Sequence, residues 1–259
     1  MIDTIKFHIP ELEQMRTYPE TLFYKGNTEL LKRKKVAIVG SRKPNQYARE
    51  VTHNVALKLS KSGLCIVSGG AFGIDAIAHK AAGVENTIMV AATGLDKRYP
   101  AINKNIIKNI EEQGLVISQF EEGTVSKKYN FPLRNEVVVA LGDILIVTYA
   151  DFNSGTMRSV EYAKKMGKEI YVLPHRIGQS SATNDLLQKQ EAKAIYDIDV
   201  FVAQFSQSQP QKESTDDFLK FCQSNPSYES ALAKFPSRIF EAELSGIIEI
   251  KNAKVYLTQ

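Results

Sequence analysis

The chain is predicted to be α/β: a Rossmann-like parallel sheet with helices on both faces, plus a small C-terminal winged-helix-like domain. From residue 35 to about 205, short apolar runs alternate with amphipathic segments. Two of those runs end in small residues, Val39-Gly40-Ser41-Arg42 and Val67-Ser68-Gly69-Gly70-Ala71-Phe72-Gly73. After a polar stretch, the last 45 residues read as helix, helix and β-hairpin.

Six strands are predicted at 35–39, 64–68, 87–91, 115–118, 143–147 and 169–173, each an apolar run bounded by turn residues. Between them, Gln46 to Ser62 sets Val51, Val55 and Leu59 on one helical face, and Ile102 to Glu112 does the same with Ile106, Ile107 and Ile110. Such β-α-β alternation specifies right-handed crossovers and a sheet buried on both sides. Residues 1–34 show no repeat period and are expected to cap the sheet edge, so the Rossmann-like domain is placed at 35–205. A Ser/Gln/Pro-rich linker is expected at 206–214. The winged-helix-like unit, 215–259, would hold a helix around Phe218–Cys222, a turn at Asn225-Pro226-Ser227 and a helix from about Ser237 to Leu244. Two strands, Ile247–Ile250 and Lys254–Leu257, would follow, joined at Asn252-Ala253.

With 259 residues, 43% of them apolar, the chain can bury one large core and a small appendage. No run reaches the length of a membrane span and the first residues lack a signal-peptide apolar segment, so a cytoplasmic location without membrane contact is expected. Cys65 and Cys222 have no metal-ligand spacing and are read as reduced structural thiols. The net charge of +4 is unevenly spread: 27 Lys/Arg stand against 22 Asp/Glu before residue 207, and 6 against 7 after it. The positive excess therefore lies with the glycine turns.

A strand that ends in glycine and opens into a helix offers backbone N–H groups to an anion. The first turn adds Ser41, Arg42 and Lys43; the second is Ser68, Gly69, Gly70, Ala71 and Gly73. Neither matches the G-x-G-x-x-G dinucleotide fingerprint, and no Walker lysine follows a G-x-x-x-x-G, which argues against nicotinamide and ATP chemistry. No cofactor and no metal is expected. Asp75, in the first turn of the next helix, either fixes that turn or bonds a ribose or base. A third cluster, Lys127, Lys128, Tyr129, Phe131, Arg134 and Asn135, reads as a basic loop with interleaved rings, suited to gripping an unpaired strand. For Phe131 a place in the core, and for Arg134-Asn135 a helix cap with a salt bridge, stay open. A fourth set, Ser154, Gly155, Thr156 and Arg158, follows the strand at 143–147. The four histidines form no triad or ligand set, and Glu161 is the one acid positioned to face the crevice, so no catalytic residue is assigned.

Taken in order, these motifs resemble the DNA-processing protein A family (DprA, also called Smf). The resemblance rests on Tyr24-Lys25-Gly26, Val-Gly-Ser-Arg at 39–42, Ser-Gly-Gly-Ala-Phe-Gly-Ile-Asp at 68–75, Phe131 with Arg134-Asn135, and Ser154-Gly155-Thr156. Tyr162-Ala163, Val172-Leu173-Pro174 and Thr183-Asn184-Asp185-Leu186-Leu187 complete it. Thr183 and His175 stand where glycine is usual, and Asn153 where a cationic residue or serine is frequent. The resemblance implies a dimerising, single-stranded DNA-binding recombination mediator of natural transformation. It also implies protection of incoming DNA and help in loading RecA recombinase. By position, Arg42 would clamp phosphate, Gly69 to Gly73 would offer backbone donors and Phe131 would stack on a base. The rival reading is a nucleotide phosphoribohydrolase of the cytokinin-activating (LOG-like) type, echoed only by Ser154-Gly155-Thr156 and Glu161.

Overall fold

All six predicted strands lie in one sheet of a computed structural model, which describes residues 2–205, 217–222, 224–244 and 247–257. In chain order the sheet's strands are β1 (Asp3–Thr4), β2 (Phe23–Gly26), β3 (Lys35–Val39), β4 (Cys65–Ser68), β5 (Thr87–Val90), β6 (Leu115–Ser118), β7 (Ile144–Val147), β8 (Ile170–Val172) and β9 (Lys193–Ala194). Their spatial order is β1-β2-β6-β5-β4-β3-β7-β8-β9. From β6 to β9 every pair is parallel, whereas β2 runs antiparallel to β6 and β1 antiparallel to β2. The chain therefore builds outward from β3 to β6, then returns past β3 to begin the other half at β7. That reversal is the switch point at which open α/β sheets leave a crevice beyond the strand ends.

Residues 1–34, expected as a cap at the sheet edge, are hydrogen-bonded into it as β1 and β2. Their side chains Ile9, Leu12, Leu22, Leu30 and Leu31 join the core on the face covered by α4 (Asn130–Leu141), α5 (Thr156–Lys165) and α6 (Ser181–Gln188). Polar residues separate those apolar positions irregularly, so no single period betrayed the strands.

Alternation along β3 explains the layering, since successive side chains on a strand point to opposite faces. Ala37 and Val39 pack toward α4 and α5, while Val36 and Ile38 pack toward α1 (Gln46–Lys61), α2 (Ile74–Ala82) and α7 (Ile198–Ala203). A third cluster joins Met89 and Val116 to Ile107 and Ile110 of α3 (Lys104–Gln113). Helix α4 is buried continuously from Glu136 to its end, whereas its first turns are only partly buried. It begins at Asn130, so Phe131, Arg134 and Asn135 occupy its first turns rather than the basic loop expected there. Pro132 is compatible with this, because a first-turn residue donates no intrahelical hydrogen bond.

By its internal packing the chain divides into two units, 1–206 and 207–259. The expected linker at 206–214 lies outside the described residues. The second unit contains α8 (Asp217–Cys222), α9 (Tyr228–Lys234), α10 (Pro236–Leu244) and the antiparallel pair β10 (Ile248–Lys251) and β11 (Lys254–Leu257). Its core gathers Phe218, Ala231, Ile239, Ile248 and Val255. Helix α9 was not predicted; its sequence signal is Ser227, whose side chain caps the helix by accepting the Ser230 N–H at 3.3 Å. Among the described residues no helix is long and apolar enough to cross a membrane.

Candidate functional site

Loops following β3, β4 and β7 meet the first turns of α4 around a cleft of about 670 Å³. Each loop is braced from behind. After β3, the Ser41 N–H donates to the Tyr149 carbonyl at 2.8 Å, and the Ser41 hydroxyl accepts the Lys43 N–H at 3.0 Å. The Ser41 carbonyl accepts the Ile74 N–H at 3.2 Å, which ties this turn to the start of α2. A side chain on Gly73 would come within 2.5 Å of that carbonyl, and Gly73 also has φ +89°; only glycine meets both demands. Arg42 projects from this braced turn with its guanidinium carbon 5.4 Å from the centre of the Phe131 ring. Among the described residues Arg42 has no salt bridge.

The second turn is held by side chains from elsewhere. The Ser68 hydroxyl donates to the Ile38 carbonyl at 2.6 Å. The Asn103 amide donates to the carbonyls of Gly70 at 3.0 Å and Ala71 at 3.2 Å. Asp75, in the first turn of α2, accepts the Ala71 N–H at 3.2 Å and lines the cleft. Burial pushes the Asp75 carboxyl above its ordinary value, opposed chiefly by the positive charge of Arg134. Burial likewise lowers Arg134, opposed chiefly by the negative charge of Asp75.

Arg134 lines the cleft from a nearly buried position. Only 5% of it is exposed, and its guanidinium donates to the carbonyls of Gly69 and Val90, the latter at 2.9 Å, and to the Asn135 side chain at 3.0 Å. It forms part of the cleft floor, with Nε and Nη1 bonded to the protein while Nη2 has no hydrogen bond among the described residues. The loop after β7 is organised by Ser154, whose hydroxyl accepts the Thr156 N–H at 3.2 Å and donates to the Thr156 hydroxyl at 3.0 Å. Ser159, one turn into α5, lines the cleft almost fully buried, and its hydroxyl has no hydrogen-bond partner in the protein.

Of the residues singled out from sequence, the cleft unites Ser41, Arg42, Lys43, Gly69, Ala71, Phe131, Arg134, Asn135, Ser154, Gly155 and Thr156. Ser68, Gly70 and Gly73 lie buried beneath it and shape the turn without lining it. Lys127 and Lys128 are exposed on the loop before α4, outside the cleft, with the Lys127 ammonium 5.8 Å from the Tyr129 ring. Arg158 corrects a prediction. It pairs with Glu161 at 2.9 Å and both line a separate groove with Arg16, Tyr18 and Tyr162. A helix turns about 100° per residue, so two residues beyond Thr156 the side chain has left the cleft face. The same rotation takes away Glu161, the acid on which the phosphoribohydrolase reading depended. Sequence reasoning missed Ser159, Asp151, Phe72 and Tyr99; the rings at 72 and 99 were legible as aromatics inside turns.

Among the described residues no cluster of three or more His, Cys, Asp or Glu could hold a metal ion. Burial pushes the Cys65 thiol up to about 12, which makes it a poor nucleophile.

The family model described as DNA recombination-mediator protein A matches residues 6–206. The chain belongs to that family. Every cleft loop falls inside the matched span, and the whole second unit falls outside it. Among curated relatives, the DNA processing protein DprA of Streptococcus pneumoniae is 38% identical over 184 residues, covering 69% of this chain and 64% of that protein. Protein Smf of Escherichia coli is 32% identical over 176 residues, covering 67% of this chain and 47% of its own length. The chain thus spans less than two-thirds of the length of these relatives. A solved structure of DNA processing protein A from Helicobacter pylori, described for its single-stranded DNA binding mode, superposes with a TM-score of 0.78 at 37% identity. That match covers 79% of this chain and 95% of the other. The crystal structure of DprA from S. pneumoniae gives a TM-score of 0.72 at 34% identity, covering 78% and 73%.

Proposed function

We propose that the chain binds single-stranded DNA in this cleft and acts as a recombination mediator rather than an enzyme. The observation that carries this reading is Arg42 standing 5.4 Å from Phe131 at the mouth of a cleft floored by glycine turns. A guanidinium without a protein salt bridge meets a phosphate, while a partly exposed ring meets a base whatever its identity. Lys43 adds charge at the same mouth, and Lys127 and Lys128 add it on the loop that leads into α4. The unpartnered Ser159 hydroxyl offers a polar contact deeper in.

Family membership supports the wider role: protection of DNA entering by natural transformation and help in loading RecA recombinase, performed in the cytoplasm by a homodimer without a cofactor. The second unit, whose described residues form three helices followed by a hairpin, is read as winged-helix-like. Its net charge of −1 suits contact with protein better than with a DNA groove.

Titration of a labelled oligo-thymidine across a salt series tests the reading. With about four phosphates neutralised, log affinity should fall with log salt at a slope of about −0.7 per contact. Duplex DNA and AMP serve as competitors. Equal binding of all three ligands, or release of adenine from AMP, would overturn it.

A further inference from the structure

Behind Phe131 a side chamber of about 70 Å³ opens off the cleft, sharing Arg42, Gly69 and Arg134 with it. Phe131 and Ala71 are shared as well, and the remaining walls are Phe72, Ala92, Tyr99 and Pro100. Phe72 is 47% and Tyr99 41% exposed, so neither ring is spent on the core. The Tyr99 ring centre lies 6.0 Å from that of Phe131, with the planes tilted by 48°. Aromatic surface left open to water in one place, beside a guanidinium without a carboxylate partner, calls for a planar ligand.

The chamber is built, not incidental. Asn103, whose N–H donates to the Pro100 carbonyl at 2.9 Å, sends its side-chain amide to the carbonyls of Gly70 and Ala71. The segment carrying Tyr99 is thereby fastened to the turn carrying Phe72. On the other side the Asn130 amide donates to the Ala92 carbonyl at 3.0 Å and the Val125 carbonyl at 3.2 Å, fixing the start of α4 beside Phe131. Three rings from three parts of the sequence thus stand on backbone segments that hydrogen bonds hold together, so little order is lost when a ligand enters.

We propose that Phe72 and Tyr99 form a second base-stacking subsite, which takes the nucleobase next to the one on Phe131. This rests on the single-stranded DNA reading above. The occupant follows from continuity: the chamber shares the Phe131 ring and Arg42 with the cleft, so a strand whose phosphate meets Arg42 has a base at hand on either side of that ring. The volume falls well below the roughly 300–1,000 Å³ of ordinary small-molecule sites, which leaves room for one ring edge and not for a free nucleotide. Ring faces supply most of the contact surface, so the subsite should be tolerant of base identity.

The test compares an oligo-thymidine with an abasic strand of equal length, whose sugar-phosphate backbone carries no bases, using the full chain. The Phe72→Ala/Tyr99→Ala variant should bind the oligo-thymidine about 5-fold or more weakly, within the roughly 5- to 150-fold that one base stack represents, and should bind the abasic strand as wild type does. Tyr99→Phe, which keeps the ring, should behave as wild type, and an unchanged melting temperature confirms folding. Equal weakening on both strands, or no weakening on the oligo-thymidine, overturns the subsite while leaving DNA binding intact. Failure of wild type to bind either strand overturns the single-stranded DNA reading and the subsite with it.

Discussion

Arg134 lies beneath Gly69, its guanidinium donating to the Gly69 carbonyl and, at 2.9 Å, to that of Val90. A methyl group on Gly69 would overlap this guanidinium. A side chain at 69 would thus require the Arg134 guanidinium to move, and the arginine is part of the cleft floor.

Arg134→Ala should therefore destabilise the fold before it affects binding chemistry. The substitution leaves the buried carbonyls of Gly69 and Val90 without this donor, a loss of about 1–3 kcal/mol for each unsatisfied group. Equilibrium urea unfolding measures it. A change below about 0.5 kcal/mol, ordinary for a surface site, would show that the arginine is not structural.

Arg42→Ala should do the reverse. The side chain is exposed and carries no protein salt bridge, so the melting temperature should stay at the wild-type value. The slope of log affinity against log salt should become shallower by about 0.7, the signature of one lost phosphate contact on a single strand. An unaltered slope and affinity would reject Arg42 as a phosphate ligand.

Arg158→Ala should leave oligo-thymidine affinity within about 2-fold of wild type, since an exposed ion pair is worth about 0–1 kcal/mol and this one faces a groove other than the cleft. Fluorescence anisotropy at low salt is the strictest form of the measurement. A drop comparable to that of Arg42→Ala would place Arg158 on the DNA path.

Acid should loosen the first unit through His79. The Thr87 hydroxyl donates to the Ile66 carbonyl at 2.9 Å, so it accepts from Nδ1–H of His79 at 2.5 Å. Nε2 is buried without a partner, and burial holds the ring neutral with a pKa of about 3. The unfolded chain titrates near 6.5, so between pH 6.5 and 3 it binds more protons than the native state. The stability is present above pH 6.5 and is lost toward pH 3, at up to about 1.4 kcal/mol per pH unit. His79→Gln should lack this component, which the difference between wild-type and variant urea midpoints across that range would reveal. Parallel curves would refute it.

The alternation of strands and helices, the switch to a second unit and the glycine turns were legible because they are local: period, turn chemistry and charge within a dozen residues. Arg42 and Phe131 were likewise visible as a cation and a ring in turn-like contexts. Their meeting at 5.4 Å depended on sheet order, since β3 and α4 are separated in sequence by three further strands. Tertiary structure alone decided that Arg134 is part of the cleft floor, because its carbonyl partner at Gly69 lies 65 residues away. It also decided that Arg158 leaves the cleft, that Phe72 and Tyr99 share a chamber, and that residues 1–34 supply two strands. A residue type sets what a side chain can do, but its burial and direction are set by neighbours distant in sequence, and these become adjacent only when the sheet closes the order of its strands.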